Sequence, residues 1–356
     1  MSAHDVYRRP PLPRRLLRIA RRSPSENLRL VRREASSRAN ARRVEAQLAD
    51  AARTARHVIA GPFLGELGFE LLYWIPALRR MLERHGVEPE RVTVVTRGGA
   101  AEWYRDVAAH AIDILELVAP EDYWKLLAGR RERAGDSKQL TIEALDRELT
   151  RLALDRVGDA AVLHPVSMYA RFRLIWAAVR PPADALTLGD YRGLPTPEFP
   201  LPDGLALPRN YVALKAYFTD SFPETEANRR LVERLVAALT AVTEVVLLST
   251  GLRLDDHIEW LADQDRLHPI APHVEARNNL AFQARVVGGA RALVSTYGGF
   301  SYLGPSLGIP TVAFWSFDNA NPVHLEVLRL AFPGALYDGP TTDLDGVARF
   351  VATRVV

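Results

Sequence analysis

Short apolar runs alternate with helix-length segments along most of this chain. They do so in two blocks, separated by a stretch in which no regular element can form. In the first block Val58-Ile59-Ala60, Val92-Thr93-Val94-Val95, Ile112-Asp113-Ile114-Leu115 and Ala161-Val162-Leu163-His164 read as strands. Helical patterns lie between them. Over Glu66 to Arg84 the residues Leu67, Leu71, Leu72, Ile75, Leu78 and Leu82 share one face, with a kink expected near Trp74–Ile75 because Pro76 removes a backbone donor. Further helices are expected over 121–157, with a charged hinge near Gly135-Asp136-Ser137, and from about Ser167 to Val179. In the second block strands are expected at Tyr211–Ala216, Glu244–Ser249, Ala292–Ser295 and Thr311–Trp315, and helices at Glu226–Leu239, Asn279–Val287, Ser301–Leu307 and Asp343–Val355. Between the blocks, residues 180 to 210 hold prolines at 181, 182, 195, 197, 200, 202 and 208, which excludes a helix or an inner strand and leaves an extended connector. Strands alternating with helices imply parallel sheets covered on both faces. The expected fold is α/β: a Rossmann-like domain over 58–180, a connector over 181–210 and a second Rossmann-like domain over 211–356, facing each other across a cleft. Ligands of such sheets bind outside the carboxyl ends of the strands.

Composition narrows the function classes. The 356 residues contain no cysteine, which excludes a disulfide scaffold, an iron–sulfur cluster, a cysteine zinc site and a cysteine nucleophile. Residues 1–57 hold 15 Arg against 5 acids, a net +10, while the remaining residues hold 31 basic and 38 acidic groups, a net −7. The basic pI therefore belongs to an arm, expected to be partly disordered or helical, and the folded part is mildly acidic. Arg14-Arg15-Leu16-Leu17-Arg18-Ile19-Ala20-Arg21-Arg22 mixes bulky apolar residues with arginines, a pattern suited to an anionic membrane surface. Only Tyr7 supplies an aromatic, which disfavours nucleic acid. No apolar run reaches the roughly 18 residues a bilayer span needs. A cytoplasmic protein, peripheral on the inner membrane face, is the expectation.

Four segments carry candidate chemistry. Gly61-Pro62-Phe63-Leu64-Gly65-Glu66-Leu67-Gly68-Phe69-Glu70 joins the first strand to its helix. Its glycine spacing is not that of a dinucleotide fingerprint, but Gly65 and Gly68 permit a tight turn on the ligand side. Glu66 and Glu70 are each a candidate general base. His164, at the end of the fourth strand, is a third candidate. Lys215-Ala216-Tyr217-Phe218-Thr219-Asp220 ends the first strand of the second block, and Lys215 is the only lysine in the second half of the chain, a compact charge suited to a phosphate. Ser295-Thr296-Tyr297-Gly298-Gly299-Phe300-Ser301 leads from a strand through Gly298-Gly299 into a short helix, whose opening amides and positive dipole end suit a diphosphate, with Ser301 adding a hydroxyl. The next strand leaves through a polar loop containing Asp318, Asn319 and Asn321. No metal-ligand pattern is present: Asp263-Gln264-Asp265 follows a helix and reads as a solvated turn, so no metal and no cofactor are expected.

A strand, S-T-x-G-G, a short helix, L-G-I-P and a further strand resemble the donor-binding half of GT-B glycosyltransferases. The first-block G-E-L-G-F-E-L-L-Y-W-I-P-A-L is similar to the acceptor-side loop of heptosyltransferase-like and fucosyltransferase-like members. The resemblance covers about 58–345. It implies transfer of a sugar from a nucleoside-diphosphate sugar to a hydroxyl on a glycan or lipid-linked acceptor, without a metal. Lys215, Tyr217, Asp220, Tyr297, Gly298, Gly299, Ser301, Asp318, Asn319 and Asn321 would lie on the donor side, and Gly65 and Gly68 on the acceptor side. Phe69 stands where heptosyltransferase-like members carry Asp, and of the fucosyltransferase-like H-x-R-x-x-D only Asp220 is matched. The alternatives are a sugar-nucleotide epimerase of the same fold and a non-catalytic nucleotide- or polysaccharide-binding protein.

Overall fold

The computed structural model describes residues 35, 39, 42–54, 56–134, 138–177, 179–252, 258–316, 322–340 and 344–355. Two parallel sheets organise them. The first has the order β3-β2-β1-β4, from β1 (His57–Ala60), β2 (Val92–Thr96), β3 (His110–Asp113) and β4 (Ala160–Leu163). The second has the order β12-β11-β10-β5-β7-β9, from β5 (Tyr211–Lys215), β7 (Glu244–Leu247), β9 (Leu267–Pro269), β10 (Ala292–Thr296), β11 (Thr311–Trp315) and β12 (Leu336–Pro340). Every pairing in both is parallel. Strands β2, β5 and β10 are buried along their whole length, as expected of inner parallel strands covered by helices on both faces. A small antiparallel pair, β6 (Tyr217–Phe218) with β8 (Ile258–Glu259), folds over the end of β5. In each large sheet the chain starts at an inner strand, builds outward to one side, then returns to the other. The reversals fall between β1 and β4 and between β5 and β10, and such a switch point opens a crevice at the carboxyl ends of its strands.

The sequence reading placed most elements within a residue or two, and three corrections follow. The third strand is His110–Asp113, and Ile114–Leu117 is a helical turn capped by Asp113, whose Oδ1 accepts from Leu115 N at 2.8 Å. The expected kink before Pro76 is a π segment. Helix α2 starts as Leu67–Phe69, widens over Glu70–Trp74 and continues as Ile75–His85, with Ile75 N donating to Glu70 O. The wide turn accommodates a proline without an N–H. Part of the 1–57 arm is helical, as expected, but packed instead of solvated. A helix α1 over 42–53 buries Val44, Leu48 and Ala51 at helical spacing in the core of the first domain. Its Glu45 contacts Arg171 at 2.5 Å, Arg84 at 3.4 Å and His85 at 2.5 Å, and burial alone would raise this carboxyl, but these partners hold it below the usual carboxylate range. Residues 1–34, which carry the proposed membrane segment, lie outside the described residues.

The proline-rich connector stitches the domains together, and it is not extended throughout as expected: Pro182–Asp184 and Ala185–Leu188 form short helical turns, the prolines standing at their start where no N–H is needed. Arg79, almost fully buried on α2, donates to Arg192 O at 2.7 Å and Gly193 O at 3.2 Å, and its Nε pairs with Asp106 at 2.9 Å. Leu194 N donates to Ser306 O in the second domain at 2.7 Å. Helix α9 (Pro322–Ala331) follows β11 yet packs on the first domain. There His324 joins an aromatic cluster of Phe69, Tyr73, Tyr169 and Trp176, and the Tyr73 hydroxyl lies 2.6 Å from His324 Nδ1.

Burial, with a smaller contribution from Lys138, lowers the His324 pKa to about 4. A histidine whose folded pKa is depressed contributes stability that is complete above its unfolded value of about 6.5 and is lost as pH falls toward the folded value. We therefore expect unfolding stability to fall between pH 6.5 and 4. His324→Gln, which keeps an acceptor for Tyr73, should flatten that limb; the remainder belongs to His57, which burial also lowers, and at the acid end to Glu45 and Glu244, which their partners hold below the usual carboxylate range. Denaturant titrations at pH 7, 5.5 and 4.5 measure this, and an unaltered slope in the variant contradicts it.

Candidate functional site

The carboxyl ends of both sheets open into one cavity of about 410 Å³ between the domains, within the usual range for a small-molecule site. From the first domain it is lined by Leu64 to Leu67 after β1, Arg97 and Gly98 after β2, Leu115 after β3, and the stripe Tyr123, Leu127 and Arg131 of helix α3 (Pro120–Ala134). Those three are four residues apart and so share one helix face. From the second domain come Lys215 at the end of β5, Tyr217, Thr219, Asp220 and Ser221 beyond it, Thr250 and Leu252 after β7, Glu259 of β8, Tyr297 to Phe300 after β10, and Asn279, Leu280 and Gln283 of helix α7 (Asn279–Gly288).

Of the residues singled out from sequence, Gly65, Glu66, Lys215, Tyr217, Asp220, Tyr297, Gly298 and Gly299 line this cavity. Glu66 is exposed and extended, with φ −65° and ψ 142°, just before α2, and its side chain makes no capping hydrogen bond.

Glu70 does not join it. The helix begins only at Leu67, so the four-residue spacing does not set the two carboxylates on one face. Glu70 is fully buried and saturated by donors: Thr96 Oγ1 at 2.8 Å, the Tyr104 hydroxyl at 2.7 Å and Arg97 Nη1 at 3.1 Å. Burial first, then this carboxylate, push the Tyr104 hydroxyl well up from its ordinary value. A carboxylate so enclosed cannot reach a substrate, and its function is to hold Arg97. Arg97 in turn donates to Phe63 O at 3.3 Å and Gly65 O at 3.0 Å, fixing the turn that carries Glu66.

His164 is also corrected. It ends β4 as expected but is buried, with Nδ1 accepting from Val166 N at 3.2 Å and Nε2 3.2 Å from Asp146 Oδ1. It does not line the cavity. Burial would raise the Asp146 carboxyl, but His164, Gln139 and Arg130 together hold it down at about 2.

On the donor side Lys215 lines the cavity, but its Nζ donates to Leu248 O at 3.0 Å and is paired with Glu259, and it lies 5.3 Å above the Phe300 ring. Glu259 also accepts from Thr250 N at 2.6 Å and Gly251 N at 2.8 Å. Lys215 therefore binds the β6–β8 flap to β5, and Glu259 balances its charge. Ser301 is fully buried and donates to Gly298 O at 2.8 Å, closing its own turn; it does not face a ligand. Asp318, Asn319 and Asn321 lie outside the described residues.

The glycines serve a purpose the sequence did not reveal. A Cβ on Gly299 would stand 2.4 Å from Gly68 N, and one on Gly68 would stand 2.9 Å from Gly299 Cα. The acceptor-side and donor-side turns thus touch backbone to backbone and close the floor of the cleft. Beside them Gly98 O, at the end of β2, accepts from Leu280 N at 2.7 Å and Ala281 N at 3.2 Å, so the first domain caps the start of α7. A Cβ on Gly298 would meet the Tyr217 hydroxyl at 2.2 Å.

Residues that sequence reasoning missed include Arg97, Arg131, Tyr123, Glu259 and Gln283. Arg97 follows a strand end, the same signal that found Lys215. Gln283 is 2% exposed with Oε1 unpartnered, and the Tyr123 hydroxyl is likewise buried without a partner, each in a wall of the cavity. Three cations (Arg97, Arg131, Lys215) and three carboxylates (Glu66, Asp220, Glu259) stand in its lining. Among the described residues no group of three or more His, Asp and Glu side chains converges as a metal site would require, and no helix is long and apolar enough to cross a membrane.

No family model and no curated protein matches the sequence. Several solved structures are similar in fold. The Escherichia coli heptosyltransferase WaaC with ADP is 15% identical, with 84% of this chain and 99% of that chain covered and a TM-score of 0.43. A glycosyl transferase of family 9 from Veillonella parvula is 13% identical, with 85% and 90% covered and a TM-score of 0.43. A UDP-N-acetylglucosamine 2-epimerase, so described, from Listeria monocytogenes is 14% identical, with 84% and 88% covered and a TM-score of 0.35.

The contact between the two turns yields a direct expectation. Gly299→Ala forces a methyl against Gly68 N, so the domains must separate or the turns must shift. A cost of about 1–3 kcal/mol in stability is expected, together with a larger radius of gyration in small-angle scattering. Unchanged values for both would contradict a close contact in solution.

Proposed function

We propose that this protein is a glycosyltransferase that moves a sugar from a nucleoside-diphosphate donor to an acceptor hydroxyl, with the donor on the second domain and the acceptor on the first. The observation that carries the reading is the shared cavity: it lies at the β5/β10 switch point, and the first domain presents an exposed carboxylate, Glu66, to it. Glu66 acts as general base, taking the proton of the acceptor hydroxyl as that oxygen attacks the anomeric carbon. The bond from that carbon to the diphosphate oxygen breaks, and the nucleoside diphosphate leaves with the electron pair. Tyr217, Tyr297 and Phe300 offer aromatic faces to the donor.

The leaving charge is not met by a surplus of cations, because Arg97 and Lys215 are already paired with Glu70 and Glu259. It falls instead to the backbone at the start of the Gly299–Tyr302 turn, where the first bond within the turn is Ser301 N to Gly298 O and the amides of Gly299 and Phe300 precede it. The Tyr123–Leu127–Arg131 stripe forms the acceptor wall, apolar along its length and cationic at one end.

Glu66→Gln is expected to lower turnover about 10²- to 10⁴-fold and to leave nucleoside-diphosphate affinity within about twofold, measured by product formation and calorimetry. Turnover equal to wild type removes Glu66 as the base. Conversion of the nucleotide sugar in the absence of any acceptor would favour an epimerase over a transferase.

A further inference from the structure

The turn that bears Glu66 is gripped by a side chain from a distant part of the first domain. Gln139 is fully buried, and its amide group makes four hydrogen bonds. Its Oε1 accepts from Leu64 N at 2.8 Å and Gly65 N at 3.1 Å, and its Nε2 donates to Pro62 O at 2.9 Å and Asp146 Oδ1 at 2.8 Å. Three of the four go to residues 62–65, immediately before Glu66. Asp146, itself fully buried, is fixed from behind by Arg130 Nε at 3.0 Å, Glu143 N at 2.9 Å and the His164 contact. On the opposite side Arg97 binds the carbonyls of Phe63 and Gly65. The turn's amides point to Gln139 and two of its carbonyls to Arg97, so its backbone orientation is set from both sides.

A buried charge pair supporting a buried amide is a costly way to fill a core, where apolar residues of the same volume are often as stable. What it supplies is a single orientation of the groups it binds. We propose that Gln139 is a positioning residue: backed by Asp146 and Arg130, it sets the direction of the Leu64–Gly65 amides and thereby the place of the Glu66 carboxylate in the cleft. This rests on the reading of Glu66 as the base. It also explains the buried His164, which acts on the turn from behind, through Asp146, without touching substrate.

The test compares Gln139→Leu, Gln139→Glu and Glu66→Gln with the full-length wild type. Gln139→Leu removes all four hydrogen bonds. It should abolish hydrogen-exchange protection of the Leu64 and Gly65 amides and lower kcat between about tenfold and 100-fold, with donor KM within about twofold. Gln139→Glu, held protonated by the ionised Asp146 beside it, keeps the oxygen that accepts from both amides, donates to Asp146 and loses donation to Pro62 O, and should lose less of kcat. If Gln139→Leu does not fold, Gln139→Glu carries the comparison, since it still loses donation to Pro62 O. Unchanged amide protection, or lost protection with unchanged kcat, overturns the proposal, as does a loss of donor binding that matches the loss of kcat. A fall in kcat for Glu66→Gln alone leaves the base in place and removes the positioning. Unchanged turnover in Glu66→Gln removes the base itself. If wild type shows no transfer, the glycosyltransferase reading fails, while amide protection still decides whether Gln139 holds the turn.

Discussion

The approach of Gly68 to Gly299 is the constraint on which the rest of the structure depends. Two turns, each at the carboxyl end of a parallel strand in a different domain, meet at a distance that leaves no room for a side chain on either. Close packing of this kind is unforgiving, since an added methyl must displace backbone and not merely a flexible side chain. Once the turns meet, the strand ends of the two sheets face each other and enclose the cavity between them. The hydrogen bonds from Leu280 and Ala281 to Gly98 O, the connector between Arg79 and Ser306, and the His324–Tyr73 contact link the same two halves of the molecule.

Buried polar networks then define the cleft in detail. Glu70 with Arg97, Thr96 and Tyr104, and Asp146 with Arg130, Gln139 and His164, both sit behind the Glu66 turn. Breaking such a network by removing one partner leaves an uncompensated charge, at a cost of about 3–5 kcal/mol. Their arrangement accounts for a division of labour among three candidate bases that looked equivalent in sequence. Two are consumed in fixing the backbone, and one, on the turn they fix, faces the cleft. The same logic applies to Lys215, whose charge is spent on Glu259 and the flap of β6 and β8.

Much of the architecture was legible because inner parallel strands read as continuous apolar runs, and β1, β2, β5, β10 and β11 are of this type. What escaped was written in shorter or more polar segments. Asp113 looked like the middle of a strand, whereas its side chain caps a helical turn and binds Gly99 N at 2.9 Å. The antiparallel pair of β6 and β8 is only two residues long on each side. Helix α1 presents three apolar positions within an Arg/Ala-rich background, too narrow a stripe to distinguish from a solvated arm. For the site, strand-end logic found the cleft-facing turns. It could not tell Glu66 from Glu70, because that depends on where the helix begins, nor His164 from a ligand-facing residue, because Asp146 comes from a helix with no sequence tie to it. Gly68 and Gly299 were read as room for a ligand, and the structure fills that room with the other domain.

The central claim is that the cavity at the β5/β10 switch point binds a nucleoside diphosphate, and the most direct measurement is a thermal-shift series across nucleoside diphosphates. At 100 times its dissociation constant, a ligand that binds only the folded protein adds about 2.7 kcal/mol. One nucleoside diphosphate should therefore raise the melting temperature by several degrees, its nucleoside alone should do so less, and Thr219→Trp, which adds bulk to the half-buried donor-side lining, should reduce the effect. No shift with any nucleotide, or an equal shift in Thr219→Trp, contradicts the account.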